Sequence, residues 1–173
     1  KGAKLIHQDC DYPAELDIVL KALDYDAIRA TQDELRQKGT YRGVAIAFYV
    51  EGTGIAPYEG VEIRIEPTGF IHVTTGYPAQ GQGHHTSLAQ IVAEALCTDL
   101  DMVVIESGRT DTFAWGVGTL ASRSAVIGGT AAVKAAAKVQ EKALALAATQ
   151  LEAAIEDLEL VAGSVQVKGV PGH

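Results

Sequence analysis

Residues 70 to 96 run FIHVTTGYPAQGQGHHTSLAQIVAEAL, and this stretch constrains the fold more than any other. FIHVTTG has the composition of a strand. Leu88, Ile91, Val92, Ala95 and Leu96 then fall at i, i+3, i+4, i+7 and i+8, which predicts a helix from about Thr86 to Leu96. Strand, glycine turn and helix in that order form the arrangement that binds phosphates. A helix start offers unpaired N–H groups and the positive end of the dipole, and glycine lets a backbone approach an anion. Gly81 and Gly83 supply that approach, Gln80 and Gln82 add amide donors, and Thr86 is placed to cap the helix. The match to nucleotide motifs is poor. The third glycine of the dinucleotide fingerprint is missing and no Gly-Lys-Ser/Thr follows. From the residues alone, the turn either holds an anion or simply joins a strand to a helix. His84 and His85 do not make a zinc site, since adjacent histidines diverge and no HExxH or Cys/His cluster supports them.

The surrounding pattern sets the class. DYPAELDIVLKALDYDAIRATQDELRQKG reads as one or two helices, with Asp11 or Tyr12 as cap, Pro13 in the first turn and Gly39 at the stop. YRGVAIAFYVEGTG reads as a strand. VEIRIEP alternates from Val61 to Ile65 and pairs with FIHVTTG as a hairpin over 61–76. Residues 102–105, MVVI, read as a buried strand. An alanine-rich helix is expected from about Leu120 to Leu158, with Ala137, Leu144, Leu151 and Leu158 seven apart. Gly128 and Gly129 interrupt it at roughly 1 kcal/mol each, which signals close packing or a kink. LELVAGSVQVKG closes as a small hairpin. The expectation is one α+β domain over 1–173: a mixed sheet with hairpins, packed against a few helices that include one long Ala-rich helix.

A second block, GRTDTFAWGVGTLASRSAVIGG, carries hydroxyls at Thr110, Thr112, Thr119, Ser122 and Ser124 and runs through Gly116 and Gly118 into the long helix. Arg123 sits at that helix start, where the dipole disfavours a cation, and Glu152, Glu156, Asp157 and Glu159 crowd its other end. Either an anion bound there accounts for Arg123, or it is solvated or pairs with Asp111 or Glu106. Two such helix starts in a small domain suggest an extended, polar, anionic ligand.

Bulk properties exclude several classes. The formal net charge of −8 disfavours nucleic acid. With apolar residues at 47% and charged residues at 21%, the chain is that of a folded globular domain. No apolar run reaches membrane-spanning length, and KGAKLIHQDCDYP is not a signal peptide. Cys10 and Cys97 form neither a disulfide framework nor a CxxC site and are expected to be reduced and partly buried, in a cytoplasmic protein. No catalytic constellation emerges from spacing.

Three blocks in order, VEGTGIAPYEG (50–60), IEPTGFIHVTTGYPAQGQGHHTSLAQIVAEAL (65–96) and SGRTDTFAWGVGTLASRSAVIGGTAAVKAA (107–136), resemble the molybdopterin-binding large subunit of the xanthine dehydrogenase family. The carbon monoxide dehydrogenase-like and aldehyde oxidase-like branch is the nearest in pattern, and DYPAELDIVLKALDYDAIR also resembles the helical stretch before those blocks. The resemblance implies an internal piece of a longer subunit, as does a first residue that is not Met. It implies that molybdopterin, as its cytosine dinucleotide, is clasped by both glycine-rich segments. Gln80, Gly81, Gln82, Gly83 and His84 would line the pterin and phosphate, with Thr86 at the helix start. Thr110, Asp111 and Thr112 would sit by the dinucleotide. Thr119, Ala121, Ser122, Arg123 and Ser124 would hold the pyrophosphate, with Ala121 and Ser122 nearest the molybdenum. His85 stands where many relatives have glutamate, and Cys97-Thr98 replaces a glycine.

The family's base, a glutamate near the subunit's C-terminus, and its pocket-shaping N-terminal loop have no counterpart in these residues. No catalytic residue is therefore assigned, Glu51, Glu59 and Glu106 included, and the isolated chain is expected to be inactive. The [2Fe–2S] clusters and FAD would sit on partner chains or domains. The implied activity of the whole is oxidation of a carbonyl or heteroaromatic C–H, or of CO, with water as oxygen source. The alternatives are a non-catalytic domain of the same fold serving assembly or interaction, and a free-standing phosphate-binding module.

Overall fold

The computed structural model describes residues 9–170. The first eight residues of the expected irregular start and the tail beyond Val170 lie outside the described residues. Two compact units emerge, one ending at Glu51 and the other starting at Gly52.

In the first unit the expected helical stretch is two helices, α1 (Tyr12–Ala22) and α2 (Tyr25–Gln37). Asp11 caps α1 through a bond from the Ala14 N–H at 3.1 Å, and Pro13 occupies its first turn. Asp24, left-handed at φ 52°, separates the helices, and Gly39 at φ 73° follows the second. Gln32 is buried and donates to the carbonyl of Arg42 (2.8 Å). The expected strand after residue 40 does not form. Ile46, Phe48 and Val50 stay 48–50% exposed. An extended segment becomes a strand only by pairing with a neighbour, and among the described residues no ladder includes this one.

The second unit holds a three-stranded mixed sheet ordered β1–β2–β3, formed by Val61–Ile65, Ile71–Thr75 and Val103–Ser107. β1 and β2 form the expected antiparallel hairpin, with Val61 opposite Thr75 and Ile65 opposite Ile71. β3 lies parallel to β2, Ile71 opposite Val103, so the glycine turn and the helix after it form the crossover between them. That helix, α3 (His84–Ala95), packs with α4 (Gly129–Leu151) against one face of the sheet. Ile71, Val73 and Thr75 of β2 point into this layer, where they meet Leu88 and Val92 of α3 and Ala132 and Ala136 of α4. Val73 and Val92 are fully buried, each contributing about 1.5–3 kcal/mol. The alanines of α4 let it approach this closely.

Three boundaries differ from expectation. α3 begins two residues before Thr86, with left-handed Gly83 (φ 74°) at its cap position, so Thr86 lies inside the first turn rather than capping it. α4 is preceded by a π-helical turn, Ser124–Gly128, and ends at Leu151. Leu158 therefore falls on the terminal hairpin of β4 (Leu158–Val161) and β5 (Ser164–Val167), and Glu156, Asp157 and Glu159 lie beyond the helix. Cys97 takes φ 50° just past α3, the conformation a glycine adopts without strain, and its carbonyl anchors Gly163 of the hairpin at 2.6 Å. Cys10 and Cys97 are both exposed, not partly buried as expected. No described helix is long and apolar enough to cross a membrane.

Candidate functional site

The site forms where β2 leaves the sheet. After Thr75, Gly76 passes directly over the backbone of Trp115 and Gly116. A Cβ on Gly76 would lie 2.3 Å from the Trp115 carbonyl oxygen. This approach joins the two glycine-rich blocks, and an isolated bridge from Glu59 to Gly116 extends it. Tyr77 follows, almost fully buried, its ring edge-on to His84 with centroids 5.8 Å apart. Gln82 folds its amide oxygen back to accept from the Gln80 N–H (2.5 Å), which leaves its NH2 as the donor side. At the start of α3, Ser87 donates to the His84 carbonyl (3.2 Å), and His84 Nδ1 is buried without a partner.

The second block crosses in front of this turn. Thr119 donates to the Pro78 carbonyl at 2.7 Å and lies 3.5 Å from the Ser124 hydroxyl. Ala121 and Ser122 are both left-handed, at φ 45° and 49°. Consecutive non-glycine residues in that region are uncommon and persist only when their surroundings enforce them. The π-helical turn that follows is a further irregularity of the kind found at functional sites.

Arg123 is placed differently from the expected phosphate contact. Its side chain is fully buried and binds Glu59, with further bonds to the carbonyls of Ile55 (2.8 Å), Tyr58 (2.5 Å) and Gly118 (2.7 Å). Asp111 and Glu106, its anticipated partners, are instead taken by Arg109 at 2.6 and 2.8 Å. That guanidinium holds the Asp111 carboxyl below its ordinary range and is itself raised by the two acids.

Between the two blocks lies a cleft of about 460 Å³, within the range of small-molecule sites. Gln80, Gln82, His84, Thr119, Ala121, Ser122, Arg123 and Ser124 line it, so eight of the expected residues converge there. Gly81 and Gly83 shape the turn, and Thr86 stays exposed. Thr110, Asp111 and Thr112 lie on the exposed turn after β3, outside this cleft. Thr112 faces the outer side of the sheet with Glu62, His72 and Glu106. Ser87, Leu120 and Ala125 line the cleft unanticipated; Ser87 could have been found by its place one turn after Gly83. No carboxylate lines it, so its donors face no competing anion. His85 turns away to Ser107 (2.8 Å). No group of three metal-ligating side chains occurs among the described residues.

Burial pushes the Tyr77 phenol up to about 12, with the Glu59 carboxylate adding to the shift. An unfolded tyrosine ionises near ~10. The native state therefore keeps a proton between about pH 10 and 12 that the unfolded chain has lost, and stability falls as pH rises through that window. Tyr77→Phe is expected to remove that part of the alkaline loss, seen as a shallower decline of Tm from about pH 10 upward.

A model of the molybdopterin cofactor-binding domain matches residues 18–172. The chain is 36% identical over 178 residues to the carbon monoxide dehydrogenase large chain of Afipia carboxidovorans, which covers 93% of this chain and 22% of that protein. It is 31% identical over 177 residues to the nicotine 6-hydroxylase large subunit of Paenarthrobacter nicotinovorans, covering 95% and 22% respectively. The crystal structure of quinoline 2-oxidoreductase from Pseudomonas putida 86 superposes with a TM-score of 0.62 at 36% identity, covering 95% of this chain and 22% of that one. The chain thus spans 22% of the length of these relatives.

Proposed function

The chain belongs to the molybdopterin cofactor-binding domain family, and from that premise we propose that it is the part of a molybdenum hydroxylase large subunit that grips the pterin and its phosphates. One observation carries this reading: residues 80–87 and 119–125, distant in sequence, converge on one cleft that no carboxylate lines. The fit is chemical as well as spatial. The unpartnered buried Nδ1 of His84, the Gln82 NH2 and the Ser122 and Ser124 hydroxyls suit an extended anionic ligand, and the α3 start adds amides and dipole. Both units of the chain are taken as parts of one cofactor-binding region.

When bound, the molybdenum cofactor supplies the redox centre at which a carbonyl or heteroaromatic C–H, or CO, gains oxygen from water. The residues of this chain bind and orient. The turn 80–84 and Thr86 would hold the pterin side and its phosphate, and Thr119, Ala121, Ser122 and Ser124 the pyrophosphate, with Ala121 and Ser122 facing the metal, while the buried Arg123 side chain holds the loop from behind. Thr110, Asp111 and Thr112 would reach the cytosine dinucleotide only by a path along the surface outside the cleft. Glu59 is fully buried against Arg123 and moves no substrate proton. The base, the substrate pocket, the [2Fe–2S] clusters and FAD are assigned to the rest of the subunit and its partners in a cytoplasmic complex.

The test is metal and pterin analysis of the intact complex. Molybdenum and a cytosine dinucleotide are expected in the native enzyme, and Gly83→Val, which forces a branched side chain into a φ of 74°, is expected to lower both. A fully assembled, active enzyme without molybdenum would overturn the reading.

A further inference from the structure

We propose that Glu59 and Arg123 form an internal clamp that presets the cradle loop 116–124 before the cofactor arrives, so that the pair governs cofactor retention without touching the cofactor; this rests on the function proposed above. Arg123 contributes to the lining of the cleft, yet its side chain is 0% exposed. A guanidinium buried beside a helix start opposes the dipole and is tolerated only with full compensation. That compensation comes from four residues of the chain. Nε donates to Ile55, Nη2 to Tyr58, and Nη1 to both Gly118 and Glu59. Glu59 Oε1 also accepts the amides of Val117 (3.1 Å) and Gly118 (2.9 Å).

Gly118 is therefore held at both ends of its backbone, its N–H by Glu59 and its carbonyl by Arg123. The clamp grips the loop just before Thr119 and again at Arg123, and the left-handed pair Ala121–Ser122 lies between these grips. Two more bonds complete the frame: Thr119 to Pro78, and the Gly54 N–H to the Ala121 carbonyl (3.2 Å). Strained backbone of this kind relaxes unless its neighbours fix it. Here the fixing groups belong to this chain and need no ligand. All of Glu59's bonds fall on Oε1, while Oε2 is buried with no partner, near the Gly116 backbone. The pair thus works by reach as well as by charge: shortening Glu59 by one methylene keeps the charge but withdraws the single oxygen that holds Val117, Gly118 and Arg123 together.

Glu59→Asp and Arg123→Lys, each in the complete enzyme complex, test this. Two readouts are needed: the rate at which pterin and molybdenum are lost on dilution, and hydrogen exchange of the 116–124 and 129–151 peptides in cofactor-free enzyme. Each variant is expected to release cofactor about tenfold faster or more, the factor that goes with one weakened charged hydrogen bond. The 116–124 peptide should exchange faster while 129–151 is unchanged. Release and loop exchange at wild-type rates would overturn the clamp. So would exchange that rises equally in both peptides, since that marks a general structural role. Should the variants fail to assemble, wild-type enzyme decides: the clamp requires the Gly118 amide to be as protected without cofactor as with it, and a loop unprotected until cofactor binds sinks the proposal. A wild-type complex that holds no pterin would defeat the functional reading and leave the loop-exchange result to judge the clamp.

Discussion

Gly76→Ala is expected to destabilise the second unit by about 3 kcal/mol or more and to leave the enzyme without cofactor. The reason is a contact between backbones. A methyl group at residue 76 would lie 2.3 Å from the Trp115 carbonyl oxygen, 2.8 Å from its carbon and 2.9 Å from Gly116 Cα. No rotamer change relieves an overlap with main chain, so the end of β2 and the Trp115–Gly116 segment must separate. Thr119 would then be drawn from Pro78 and the cleft would open at its base. The reverse substitution, Gly116→Ala, meets the same junction from the other side, 2.8 Å from Gly76 Cα, and should behave alike. Gly43→Ala is the matched control, because its Cβ would meet nothing within 4 Å and its effect should stay within about 0.5 kcal/mol. Thermal unfolding by circular dichroism together with pterin content reads both effects. A Gly76→Ala enzyme with native Tm and full cofactor would mean that the blocks are not joined here.

The elements legible in the sequence are those whose pattern is local. The hairpin of β1 and β2 follows from alternation over Val61–Ile65, and α3 from the spacing of Leu88, Val92 and Leu96. The Gly128–Gly129 pair signalled close packing, and the structure supplies the neighbours: Tyr77 would meet a Cβ at 2.5 Å and Ile91 at 2.9 Å. Where the pattern was coincidental it misled. Leu158 continues the seven-residue series of α4 and is buried, but on β4, because left-handed Glu152 (φ 50°) has already ended the helix. The apolar segment after residue 40 carries strand composition without a strand, since pairing depends on a neighbour that composition cannot supply. The convergence of Gln80, Gln82 and His84 with Thr119 to Ser124 was expected through family resemblance, not spacing. What escaped the sequence was the pairing of Glu59 with Arg123. An ion pair that spans 64 residues leaves no periodicity, and nearer acids at Glu106 and Asp111 drew the expected partner elsewhere.

That ion pair gives the other large expected effect. Arg123→Met is expected to cost about 3–5 kcal/mol, because it leaves Glu59 as a buried charge without its partner. It also strips the donors from the carbonyls of Ile55, Tyr58 and Gly118. Glu59→Gln keeps an oxygen for the Val117 and Gly118 amides and removes the charge, so the two substitutions separate charge from hydrogen bonding. In the double variant no uncompensated charge remains, and replacing a whole buried pair is often near neutral. The double variant should therefore be more stable than Arg123→Met alone, with a favourable coupling of about 1–3 kcal/mol between the sites. It should still fall short of wild type, because an unpaired buried carbonyl costs about 1–3 kcal/mol and the methionine thioether offers no donor. Urea unfolding of the four members of the cycle measures this order. If the double variant loses the plain sum of the two single losses, charge compensation is not what makes Arg123 indispensable, and the three carbonyls carry its effect.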